Sequence, residues 1–282
     1  MREEQVKQIT NISAKQKVRL VVVCTYCLTS KRAMQPTEQD TFIEHPKMVD
    51  SSANLQILLF GEPSFLINGI PLADATSNKV EALFAYLVCH PYPHLREALA
   101  SLLFTAHSRS QANNNLRVLL SRLRRVCKDT ILITRQTVRL NPAYDVWLDT
   151  AVFQKTIPQK PEHALKLYRG DFLETIDVQD AKGFVEWASL QREQHRLMAL
   201  ETLLQLIKKY EAAGEFDRAI YFAQQLLTIE PNHEGWHRWL IKLHLQAGQP
   251  TAAQAQLEAC RQIILETFEQ ELSPNTQRLF NK

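Results

Sequence analysis

Hydrophobic positions enter this chain in two textures. From Leu55 they come in short runs: Leu55-Gln-Ile-Leu-Leu-Phe60 and Phe65-Leu-Ile67 are separated by Gly61 and Pro63, and Asn68-Gly69 stands before Ile70. Short β-prone runs cut by turn residues predict a small antiparallel sheet with a tight hairpin at Asn68-Gly69. From Val80 the spacing changes: Val80, Leu83, Phe84, Leu87 and Val88 fall at i, i+3, i+4, i+7 and i+8, one buried face of a helix. Thr76 and Ser77 are its candidate N-caps, and Pro91 and Pro93 stop it. A shorter helix is expected over 95–104, burying Leu95, Leu99, Leu102 and Leu103.

After a polar turn at 105–108, a third helix is expected over about 110–128. Leu116, Leu119, Leu120, Leu123 and Val126 give it a narrow apolar stripe, and the opposite side carries Asn114, Arg117, Ser121, Arg122, Arg124 and Arg125. Two β-prone runs, Ile131-Leu-Ile133 and Thr137-Val-Arg-Leu140, then flank the basic tip Thr134-Arg135-Gln136. Sheet, three helices and a closing hairpin is the order of a winged helix-turn-helix, and the third helix is the one such a fold offers to a major groove.

Charge sharpens that reading. The net charge is +3 over 282 residues, but residues 1–50, 51–160 and 161–282 carry +2, +5 and −4. Between Arg109 and Arg139 there are eight basic residues against the single acid Asp129. A duplex attracts such a face because neutralised phosphates release condensed counterions. Asn113-Asn114-Asn115 near the helix start adds a second possibility, since Asn can bond adenine and Arg guanine through paired hydrogen bonds. The candidate DNA-binding residues are therefore Asn113, Asn114, Arg117, Ser121, Arg122, Arg124, Arg125 and Arg135. A solvated helix flank is the plainer alternative for any one of them.

Residues 149–160 read as a connector, with Pro158 and Pro161 at its end, and everything beyond reads as helical. Here the chain repeats itself at an offset of 34: Leu206 matches Leu240, Gly214 matches Gly248, Ala219 matches Ala253 and Leu226 matches Cys260. That is the tetratricopeptide period, a helix-turn-helix unit that stacks to make contact surfaces. In the second unit His237 and His244 replace Leu203 and Tyr210. The fold class expected is mainly α: a winged helix-turn-helix with a small sheet and wing over 51–148, then an all-α repeat domain over 149–282. Residues 1–50 read as a poorly ordered leader.

Composition excludes several classes. Apolar residues are 45% and charged residues 22%, an ordinary globular balance. The apolar stretch Val18 to Leu28 is interrupted by Arg19 and is too short for a bilayer, which needs about 20 residues. Five scattered cysteines suit a reducing cytoplasm, and the Cys24/Cys27 pair lacks a βαβ context. The seven glycines form no phosphate or dinucleotide loop. His233-Glu-Gly-Trp-His237 matches the zinc-hydrolase pattern, but it begins at a helix start, and His244 lies about 16 Å further along a helix. Trp147, Trp187, Trp236 and Trp239 read as packing residues. No enzyme, cofactor or metal is expected.

Leu58-Leu-Phe-Gly61, Leu119-Leu-Ser-Arg-Leu-Arg-Arg125, Leu167-Tyr-Arg-Gly-Asp-Phe-Leu173, Pro231-Asn-His-Glu234, Gly248 and Glu271-Leu-Ser-Pro-Asn-Thr-Gln-Arg-Leu279 occur in an order that resembles regulators of the SARP type. These join an OmpR-like winged helix to a bacterial transcriptional activation domain. The resemblance implies promoter binding to double-stranded DNA as a homodimer, with the helical domain aiding oligomerisation or contacting RNA polymerase. Glu269 stands where that family turns with Gly, Leu103-Phe104 stand where it has Leu-Trp, and the leader matches nothing in it. A protein-protein adaptor whose winged helix docks protein is the rival reading.

Overall fold

Asn68 and Gly69 both take positive φ, 51° and 76°. Two such residues make the tight turn that matches strand twist, and they join β2 (Ser64–Ile67) to β3 (Ile70–Pro71). The structure, a computed structural model, describes residues 54–71 and 77–280. The expected leader, Cys24, Cys27 and Thr76 lie outside the described residues. The first sheet runs β3-β2-β1-β7, with β1 (Leu55–Leu58) antiparallel to β2 and parallel to β7 (Val146–Leu148).

The first predicted helix is α1 (Asn78–Cys89), which buries Val80, Leu83, Phe84, Leu87 and Val88. Ser77 holds its N-cap position, but its side chain makes no capping bond. The second is α2 (Arg96–Leu103), and here the expected face needs correction. Leu95 is 61% exposed, because it belongs to strand β4 (His94–Leu95) rather than to the helix. Neighbours on a strand face opposite ways, and His94 takes the buried place. Leu102 is only half-buried. α3 (Arg109–Cys127) follows, then β5 (Ile131–Ile133) and β6 (Thr137–Leu140). They form a second sheet in the order β4-β6-β5.

The expected connector at 149–160 is largely a helix, α4 (Asp149–Thr156), followed by α5 (Pro161–Leu165). Its short length and lone buried aromatic, Phe153, leave little periodicity for a sequence to show. Nor is everything beyond it helical: residues 166–181 are irregular. Long helices then stack: α6 (Lys182–Ala212), α7 (Phe216–Ile229), α8 (Glu234–Gln246) and α9 (Pro250–Phe268), with a short α10 (Pro274–Gln277).

The 34-residue offset is a geometric repeat. Gly214 and Gly248 turn α6 into α7 and α8 into α9 with φ of 74° and 72°. The matched positions Leu206 and Leu240, Ala219 and Ala253, Leu226 and Cys260 are all buried. His237 and His244 are also buried, where their counterparts are Leu203 and Tyr210. Each finds a polar partner: His237 meets Pro231 O and Gln256, and His244 meets Gln249.

The two textures of sequence share one compact unit. Phe172, Leu173, Ile176, Val178 and Phe184 are buried in the same core as α1 to α3, whereas Phe60 is buried with the later helices. The segments Leu58 to Gly61 and Leu167 to Leu173 lie against each other. Gly61 N donates to Asp171 O at 2.9 Å, and Leu173 N donates to Leu59 O at 2.8 Å. A Cβ on Gly170 would lie 3.0 Å from Gly61 Cα, so the close approach requires a glycine there.

Beneath this seam sits Asp149, fully buried. Its carboxylate accepts from Leu59 N, Phe60 N and Thr150 N at 2.9, 3.1 and 2.7 Å, and Arg169 lies 3.4 Å away. Burial nonetheless holds its pKa above the ordinary value, since desolvation outweighs those bonds. Among the described residues no helix is long and apolar enough to cross a membrane.

Candidate nucleic-acid interface

α3 is fixed at both ends. Ser108 accepts from Gln111 N while Gln111 reaches back to Ser108 N at 3.2 Å, a capping box that satisfies donors left free at the helix start. Arg124 and Arg125 occupy the last turn, where cations complement the helix dipole. Ala112, Leu116, Leu119, Leu120, Leu123 and Cys127 are buried. Val126 is half-buried at the edge of that stripe.

Opposite the stripe, every candidate but one faces solvent. Asn114, Arg117, Ser121, Arg122, Arg124 and Arg125 are exposed, while Asn113 is half-buried on the flank. At about 100° per residue, Asn114, Arg117, Ser121 and Arg125 run in one line along the helix. Arg122 and Arg124 stand on its two sides. Val118 is 52% exposed in the middle of this face, an apolar residue that a search for polar positions passes over.

The wing completes the surface. Thr134 accepts from Gln136 N and Thr137 N through its hydroxyl, at 3.2 and 2.9 Å, which closes the hairpin and leaves Arg135 exposed at the tip. Arg96 N donates to Gln136 O at 3.0 Å, tying that tip to the start of α2. The hairpin is therefore held in place relative to the helices.

Among the described residues, Arg117, Arg122, Arg124, Arg125 and Arg135 have no carboxylate within ion-pair distance. Arg109 differs, pairing with Glu97 at 2.6 Å, and Arg139 leans on Leu140 O at 3.4 Å. Beside α3 a groove of about 470 Å³ runs between Arg122, Asn115 and Val118 on one wall and Lys79 and Asp177 on the other. Lys79 lies 4.6 Å from the Phe104 ring centroid, over its face.

The remaining chemistry-like motifs have structural partners. His233 accepts from Trp236 N as a helix cap, Glu234 binds Ser273 and Thr276, and His237 bonds Pro231 O and Gln256. The three side chains of the zinc-like pattern thus serve three different contacts. Trp236 and Trp239 donate to Glu230 and Glu211, Trp147 is buried, and Trp187 packs on Phe172 and Phe184. Burial pushes the thiols of Cys89, Cys127 and Cys260 up to about 12, so they are unreactive at neutral pH.

Residues 154–282 match the model of the bacterial transcriptional activator domain. This part of the chain, 129 of its 282 residues, is similar to that domain. The match begins inside α4 and takes in the whole helix stack. Among solved structures the chain is similar to EmbR of Mycobacterium tuberculosis, determined in complex with a low-affinity phosphopeptide. The likeness has 18% identity and a TM-score of 0.50, and covers 80% of this chain and 64% of that one, so it speaks for a shared fold. The comparison with curated proteins gave no match. With a region similar to that domain behind a small sheet region, the chain has a SARP-like architecture.

Proposed function

We propose that this chain is a transcriptional regulator that binds duplex DNA through α3 and the wing, placing the activator domain at a promoter. The observation that carries the reading is the set of five exposed arginines, on α3 and the hairpin tip, that have no acidic partner among the described residues. Arginines held without counter-charge are suited to phosphates, which repay the contact by counterion release. Asn114, Arg117 and Ser121 face base edges, with Asn113 beside them at the helix start. Arg122 and Arg124 grip phosphates on either side, Arg125 grips one at the end of the helix, and Arg135 enters the neighbouring minor groove.

In this reading the 51–148 segment is a winged-helix DNA-binding domain, and 149–282 serves dimer contacts and recruitment of RNA polymerase. The protein acts as a cytoplasmic homodimeric activator, as the SARP resemblance implies. The test uses the full chain, because a piece ending at residue 160 would lack Phe172, Leu173 and Phe184 from its core. Retention on mixed-sequence duplex DNA at low salt, with elution as salt rises, is the expected result. Selection of bound genomic fragments should give a sequence logo that changes in Asn114→Ala. Absence of retention would favour the protein-docking adaptor instead.

A further inference from the structure

The turn that leads into α3 is held by the activator half of the chain. Thr105 N and Thr105 Oγ1 both donate to Asp180 O, each at 3.0 Å. The same hydroxyl accepts from Lys182 N, the first residue of α6, at 3.1 Å. One residue on, Gly183 lets α6 press against α2: a Cβ there would lie 3.4 Å from Cα, Cδ1 and the carbonyl oxygen of Leu102. Asn78 at the start of α1 donates to Asp177 O at 2.8 Å. Between these polar ties Val178, Ala181 and Phe184 are buried in the core of α1 to α3. Asp180 takes φ of 58°, a region that costs most residues energy and persists where surroundings enforce it.

We infer that the strap formed by residues 177–184 positions α3 for reading sequence, with Thr105, Asp180 and Gly183 as positioning residues that touch no DNA. The strap grips the α2–α3 turn three residues before the Ser108 cap, and at its other end grips the start of α1. It fixes the angle at which the arginine face stands to the wing. Base edges tolerate little misplacement, whereas phosphate attraction survives it. The arginines lie off the Thr105–Asp180 tie, with Arg122 alone facing the strap across the groove, so loosening the tie lowers discrimination and leaves electrostatic attraction intact. The activator domain is thereby a working part of the DNA-reading surface. This inference rests on the DNA-binding reading given above.

The experiment uses full-length Thr105→Val, Gly183→Leu and Thr105→Ser, each held below its own unfolding temperature. Affinity for a selected site and for unrelated duplex is measured across a salt series. In Thr105→Val and Gly183→Leu the ratio of specific to non-specific affinity should fall by at least about tenfold, the order of one mismatched base pair, with the salt slope unchanged. Thr105→Ser keeps the hydroxyl and should restore the ratio. An unchanged ratio in both disruptive variants overturns the inference, and so does equal loss of specific and non-specific binding. Hydrogen exchange without DNA supplies a separate readout: protection across 109–116 should drop in Thr105→Val while α7 to α9 keep theirs. If the wild-type chain binds no duplex, the proposed function fails. The exchange result then stands or falls by itself: unchanged protection across 109–116 overturns the strap too.

Discussion

Arginine is used in opposite ways by the two halves of this molecule. In the activator domain Arg196 bridges Glu193 and Glu230 at 2.8 and 2.6 Å, Arg218 bridges Glu162 and Glu215, and Arg261 meets Glu258. On α3 and the wing, Arg117, Arg122, Arg124, Arg125 and Arg135 stand without carboxylates among the described residues. The difference teaches that net charge says less than pairing does. A half with more acids than bases pairs Arg196, Arg218 and Arg261 with its own carboxylates, whereas α3 sets Arg122 and Arg125 three residues apart with no acid on the helix, an arrangement that costs a helix stability. Surfaces that accept such a cost are suited to a partner that relieves it.

The largest stability effect is expected at the seam joining the halves. Asp149→Ala should lower stability by about 3–5 kcal/mol, because the amides of Leu59 and Phe60 lose their acceptor in a buried site. Denaturant titration of the full chain measures it; a loss under about 1 kcal/mol would mean the seam does not depend on this carboxylate. Next comes Arg196→Ala, expected to cost about 1 kcal/mol through its half-buried pairs while leaving DNA affinity alone. Arg117→Glu, in mid-helix away from the dipole's ends, should do the reverse, leaving the melting temperature equal or slightly raised and weakening DNA binding severely. A variant of either kind that shifted both properties together would break the contrast between the halves.

Acid should act first through buried imidazoles in both halves, His90 at the end of α1 among them. Burial lowers the pKa of His195 and His237 below the ordinary 6.5, so the unfolded chain takes up protons that the folded chain refuses. Stability is therefore complete above pH 6.5, declines as pH falls from 6.5 toward the lowered folded values, and levels off below them. Glu230 and Glu234 are held below 4.5 by their bonds to Trp236, Arg196, Ser273 and Thr276, and add a further decline below that pH. Melting curves from pH 8 to pH 4 should show this order. A melting temperature flat down to pH 5 would contradict the buried imidazoles.

The smallest effect belongs to Glu269, which ends α9 with φ of 55°. Gly adopts that conformation without a Cβ clash, so Glu269→Gly should stabilise the chain by up to about 1 kcal/mol. The SARP resemblance marks this position as one where a glycine is usual, and the structure gives the reason. A lower melting temperature in the variant would show that the Glu269 side chain contributes more than its backbone costs.

What can be read in the sequence is local and periodic. The Asn68-Gly69 hairpin, the leucine stripe of α3 and the 34-residue glycine spacing each carry a pattern within a few turns of chain. Seven of the eight candidate DNA-binding residues are solvent-exposed, and Asn113 sits half-buried on the flank. Leu95 reads as helix because it keeps step with Leu99 and Leu102, and α4 escapes because it is short. The Ser108/Gln111 capping box carries a signal in its spacing, one that fixes the helix start more closely than the apolar stripe does. What cannot be read is contact across distance: Phe172 and Phe184 filling the core of α1 to α3, and Thr105 tied to Asp180. No periodicity marks such pairs.

If the unpaired arginines of α3 neutralise phosphates, the salt dependence of full-chain binding to duplex DNA shows it most directly. The measurement compares a chain carrying both Arg124→Ala and Arg125→Ala with one carrying both Arg218→Ala and Arg261→Ala. The first double variant should lower the slope of log K against log salt by about 1.8, at about 0.9 for each phosphate no longer neutralised, and the second should leave it unchanged. Equal slopes in both double variants and the wild type would contradict phosphate neutralisation by α3.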